Sequence, residues 1–136
     1  MIQCIVGLKG SGKTKQLIQL VNEAVGNETG NVICIERDQK LKFDVDYRCR
    51  LIATRDYDFT GFEAFFGFIS GIYAQNYDIT SVFIDSLYKV ARSESVEHAE
   101  WFLAWAESFS NEHNVKMTIT ISADVNLATE AIKKYF

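Results

Sequence analysis

The chain has 136 residues, 48% of them hydrophobic, and a net charge of −4 with a pI near 5.2. That is one domain's worth of chain, with enough apolar residues for an ordinary core. The acidic balance argues against a nucleic-acid partner held by bulk electrostatics. No apolar run is long enough to span a bilayer, and no basic-then-apolar leader opens the sequence. These features predict a single cytoplasmic domain over 1–136, without a membrane partner. Cys4, Cys34 and Cys49 are odd in number and lack CxxC spacing, so they read as buried hydrophobes.

In chain order, 2–6 is a short apolar run that predicts a buried strand. Thr14 to Val25 carries apolar residues at 17, 18, 20, 21, 24 and 25, a helical spacing that Gly26 should end. NVICIE (31–36) predicts a second strand. Residues 37–49 are mixed in charge, show no clean period and read as an irregular excursion or small hairpin. RLIAT (50–54) predicts a third strand. Thr60-Gly-Phe-Glu63 matches a capping box before a helix with a broad apolar face, in which Gly67 and Gly71 should allow close approach to a sheet. SVFID (81–85) predicts a fourth strand, 95–113 a helix, VKMTITIS (115–122) a fifth strand and 127–136 a closing helix. The alternation predicts an α/β fold with a mainly parallel sheet and helices on both faces.

Residues 7–14 read GLKGSGKT and match G-x-x-x-x-G-K-[ST] between a predicted strand and helix. Gly7, Gly10 and Gly12 would let successive backbone N–H groups point inward, with Leu8, Lys9 and Ser11 completing the loop. The helix dipole adds positive potential at the same point. Lys13 would reach the β and γ phosphates, and the Thr14 hydroxyl would bind Mg²⁺. Asp85, ending a buried strand, supplies the carboxylate such a site needs for the metal. Many P-loop ATPases place a glutamate directly after that aspartate; here the residue is Ser86.

The segments NVICIERD, VFIDSLYKV and MTITISAD resemble the RecA-like ATPases. That resemblance implies a RecA-like P-loop fold with sheet order 3-2-4-5-1, Glu36 as catalytic base, and Ser122 as a sensor of the γ-phosphate. The run from the phosphate loop to TISAD is also similar to short uncharacterised Firmicutes P-loop proteins, some labelled twitching motility. The larger twitching-motility ATPases have an N-terminal partner domain and acidic and histidine boxes not found here. GSGKTKQLIQLV looks like the phosphate-loop helix of thymidine kinases, but their strand-end Asp-Glu pair and zinc lasso are missing.

The expected function is Mg-dependent ATP binding with slow, partner- or assembly-stimulated hydrolysis. Lys13 and Glu36 are its candidate catalytic residues. Absence of an Asn-Lys-x-Asp segment favours ATP over GTP. The alternatives are a small-molecule, nucleoside-type kinase and a non-hydrolysing nucleotide switch. Arg37, Arg55 and Arg92 are candidate arginine fingers. The basic residues of 37–55 form a candidate patch for an anionic partner. Trp101 and Trp105, one helical turn apart, either fill the core or extend to a partially exposed face and form a protein or homo-oligomer interface.

Overall fold

In a computed structural model covering residues 1–136, five parallel strands form one sheet. The elements run β1 (Ile2–Gly7), α1 (Lys13–Asn27), β2 (Asn31–Glu36), β3 (Arg50–Ala53), α2 (Phe62–Ala74) and β4 (Ile79–Ile84). There follow α3 (Leu87–Ala91), α4 (Val96–His113), β5 (Lys116–Ser122) and α5 (Glu130–Lys133). Across the sheet the order is β1-β5-β4-β2-β3; read from the β3 edge, this is 3-2-4-5-1. No helix is long and apolar enough to cross a membrane.

Side-chain alternation along the strands splits the apolar residues between two layers. The larger core takes Ile33, Ile35, Ile84, Met117, Ile119 and Ile121 against α2, α3 and α4. The smaller takes Val32, Cys34 and Phe83 against Leu17, Val21 and Ala24 of α1. All three thiols are buried and free. Burial pushes Cys4 and Cys49 up to about 12 and Cys34 well above its ordinary 9.0.

The irregular stretch between β2 and β3 is more ordered than its sequence suggests. Leu41, Val45 and Cys49 recur every four residues and are buried beneath it, in the smaller core. The Asn22 side chain donates to Asp44 O (3.1 Å) and accepts from Asp46 N (2.8 Å). The apolar signal there was masked by the charges interleaved with it.

Three local expectations need correction. Gly26 does not stop α1; the helix runs to Asn27, where Glu28 turns extended and donates its N–H to Ala24 O. Thr60 does not cap α2. Gly61 is the cap, at φ 97°, and makes no side-chain bond; its own N–H goes to Ala91 O. Gly67 and Gly71 do not serve close packing, since a Cβ at either would meet nothing within 4 Å. Trp105 is part of an aromatic stack with Phe66, Phe102 and Phe109, at 4.5–5.4 Å between centroids. Trp105 is partly buried there, and Trp101 is 48% exposed.

Along β1, Cys4 N–H donates to Tyr135 O at 2.7 Å, so the chain after α5 lies against that strand.

Candidate functional site

The loop between β1 and α1 is shaped by its glycines. Gly10 and Gly12 adopt φ of 85° and 88°, conformations costly for any residue with a Cβ. At Gly7 a Cβ would sit 2.5 Å from Ser11 Oγ, so the loop closes tightly over its own start. Lys13, the first residue of α1, is buried; its Nζ donates to Leu8 O at 2.8 Å and lies 3.5 Å from Ser11 Oγ. The ammonium thus bridges the loop it follows.

A cavity of about 360 Å³ opens beside this loop. Lys9, Lys13, Lys15 and Lys89 line it with Gly10, Gly12, Thr14, Ser86 and Ser122; no carboxylate or apolar side chain does. Four ammonium groups around one cavity, on a chain of net charge −4, concentrate positive potential where the first turn of α1 presents unpaired N–H groups. Lys15 and Lys89 were not singled out by the sequence reading. Lys89 comes from α3, an element that the sequence gives too little periodicity to reveal.

The aspartate after β4 lies against the same helix start. Thr14 Oγ1 is 3.3 and 3.2 Å from the two Asp85 oxygens. The fully buried Thr120 hydroxyl donates to Asp85 Oδ1 at 2.7 Å and accepts the Ser86 N–H at 2.7 Å. Ser86 holds φ 63°, so this N–H bond pins an unusual backbone. Thr120 escapes a sequence reading because it stands in the alternating run MTITIS, where threonine is an ordinary strand residue.

Glu36 is placed differently from the loop residues. It is 5% exposed, and both its oxygens accept backbone N–H bonds, from Lys40 at 3.0 Å and Leu41 at 3.2 Å. Burial is the largest influence on its carboxyl and raises its pKa; the two N–H bonds act the other way. It lines a separate cavity of about 290 Å³ with Asp38, Gln39 and Lys42, on the β3 side. Its two N–H bonds tie it to the start of the β2–β3 excursion, and the charge of Asp85 also pushes its pKa up.

The candidate arginines separate as well. Arg92 donates to the carbonyls of Phe59, Thr54 (2.7 Å) and Tyr57 (3.0 Å) and lies over the Phe59 ring. It is committed to holding the loop after β3. Arg55 lies within 4.0 Å of Asp38 and 3.9 Å of Asp56. Arg37 has a buried Nη1 without a partner.

No family model and no curated protein matches the chain.

Proposed function

We propose that this chain binds Mg·ATP at the Gly7–Thr14 loop and hydrolyses it slowly, with turnover raised by a partner or by assembly. The observation that carries this reading is the lysine-lined cavity over the glycine loop. Its backbone turns, helix start and ammonium groups suit a chain of phosphates and little else. Ser122, lining the same cavity, is suited to contact the terminal phosphate.

The donor set fits Mg²⁺. That ion takes one or two protein oxygens and completes its shell with water and phosphate. Thr14 Oγ1 and the Asp85 carboxylate would hold it, directly or through water. They lie 3.2–3.3 Å apart, and no cluster of three or more acidic, histidine or cysteine ligands exists elsewhere. When bound, the ion supplies positive charge to the phosphate oxygens.

The slow rate follows from what surrounds the loop. Glu36 is engaged by two N–H groups and Arg92 by three carbonyls. An arginine supplied from outside is worth roughly 10³–10⁵-fold in related phosphoryl transfers. The same Glu36 geometry favours a second reading, a nucleotide switch that binds without turnover.

Calorimetric titration of Mg·ATP into wild type and Lys13→Ala tests the proposal. Wild type should bind, and the variant should bind at least tenfold more weakly while keeping its circular dichroism. Equal affinity in the two proteins would refute the assignment. Single-turnover measurements on wild type then separate slow hydrolysis from none.

A further inference from the structure

The lysine-lined cavity over the glycine loop has walls from three parts of the chain. The loop and the start of α1 make one, Ser122 at the end of β5 the second, and Ser86 and Lys89 after β4 the third. Because β5 lies between β1 and β4, Ser86 and Lys89 stand away from the loop's own strand. Lys89 is the one cation that reaches the cavity from outside the 9–15 segment.

The backbone that carries Lys89 is firmly held. Leu87, Val90 and Ala91, its neighbours in α3, are fully buried. Ahead of the helix, Ser86 N–H donates to Thr120 Oγ1 at 2.7 Å. Beyond it, Arg92 donates to three carbonyls of the loop after β3, and Ala91 O accepts the Gly61 N–H at 2.7 Å. A helix pinned at both ends fixes where its side chains start. The Lys89 side chain itself is exposed and enters no ion pair.

Other cations are engaged elsewhere. Lys13 Nζ donates to Leu8 O at 2.8 Å, Arg92 is committed to its three carbonyls, and Arg55 lies by Asp38 and Asp56. Lys89 thus stands unpaired among three more ammonium groups, with no carboxylate on the lining. Such a cluster is repulsive in the free chain and becomes favourable once an anion enters.

On the nucleotide reading proposed above, the metal site says which part of that anion Lys89 meets. In P-loop enzymes the ion bridges oxygens of the β and γ phosphates. Thr14 and Asp85 are the residues suited to hold it, and Ser86 is the one residue between Asp85 and α3. The terminal phosphate would therefore lie toward α3, and the β phosphate among the N–H groups of the loop. Ser122 offers the terminal phosphate a neutral hydroxyl, whereas Lys89 offers a full charge with three donors.

We propose that Lys89 distinguishes a nucleoside triphosphate from a diphosphate at this site, by donating to the terminal phosphate from across the cavity. The inference rests on the nucleotide reading of the loop and adds to it a specificity-determining residue on α3.

Calorimetric titration of the full chain with Mg·ADP and with the non-hydrolysable analogue Mg·AMP-PNP tests it. Lys89→Met keeps the length of the side chain and removes its charge. It should weaken AMP-PNP binding roughly tenfold or more, the scale of one charge-assisted hydrogen bond, and change ADP affinity by less than about twofold. Lys89→Arg should recover most of the loss. Both variants should keep native circular dichroism, because the side chain is exposed. A ratio of the two affinities that stays the same in Lys89→Met overturns the proposal, whether both affinities hold or both fall together. So does a Lys89→Arg protein that binds AMP-PNP as weakly as the methionine variant. A wild type that binds neither nucleotide overturns the nucleotide reading itself and this inference with it, a failure visible before any variant is titrated.

Discussion

Replacing Thr120 by valine isolates one hydroxyl that two parts of the candidate site share. The side chains are nearly the same shape, so the packing between β5 and α1 should survive. What disappears is a donor to Asp85 Oδ1 and an acceptor for Ser86 N–H, both at 2.7 Å. Thr120 is fully buried and Asp85 nearly so, which leaves water little room to substitute. An unsatisfied buried N–H costs about 1–3 kcal/mol, and a hydrogen bond to a charged acceptor contributes about 1.5–3. These overlap, because Asp85 keeps the Thr14 hydroxyl, and valine recovers a little through its added methyl. The net loss should be about 2–4 kcal/mol. A chain of this length has a total stability of roughly 7–20 kcal/mol, so the variant should fold, with a clearly lower urea midpoint and an unchanged slope. Thr120→Ser retains the hydroxyl and should lose only about 1 kcal/mol for its methyl. A valine variant within 1 kcal/mol of wild type would refute the idea that this hydroxyl holds Asp85 and the Ser86 turn.

Glu36→Gln should leave Mg·ATP affinity unchanged and speed hydrogen exchange at the Lys40 and Leu41 amides; exchange as slow as in wild type would remove the anchoring role, and unchanged turnover would remove Glu36 from the chemistry. The three buried thiols should be silent to a thiol reagent at pH 8 in the native protein and should all react in denaturant. Because burial raises the folded-state values above 9.0, the thiols' contribution to stability is fully present below pH 9 and is lost as pH rises through about 12. Each thiol sets a slope of at most about 1.4 kcal/mol per pH unit, and Cys4→Ala should flatten the alkaline limb of the stability curve measured in urea.

Continuous apolar runs such as NVICIE made the strands legible, because a strand buried on both faces leaves an unbroken signature. The spacing of GLKGSGKT was likewise readable, as its glycines meet a local backbone demand: Gly10 and Gly12 do take positive φ. Features that depend on distant partners were hidden. Thr120 matters only because β5 lies beside β4, and Lys89 only because the short α3 faces the loop. The resemblance to RecA-like ATPases pointed to Glu36, while the N–H groups that engage it come from residues four and five further on and could not be read from the strand. Gly67 and Gly71 misled for the opposite reason: small residues on an apolar helix imply contact, and here the neighbouring strand is the last in the sheet, so nothing approaches them.

The bond from Cys4 N–H to Tyr135 O gives the sheet a direction of growth. The chain beyond α5 already takes the Cys4 N–H in the middle of that edge, which hinders an incoming strand there. The four-residue β3 is covered by no comparable segment, and an outermost strand with free N–H and C=O groups is a template for recruiting further chains. Misassembly by strand addition would therefore favour the β3 side.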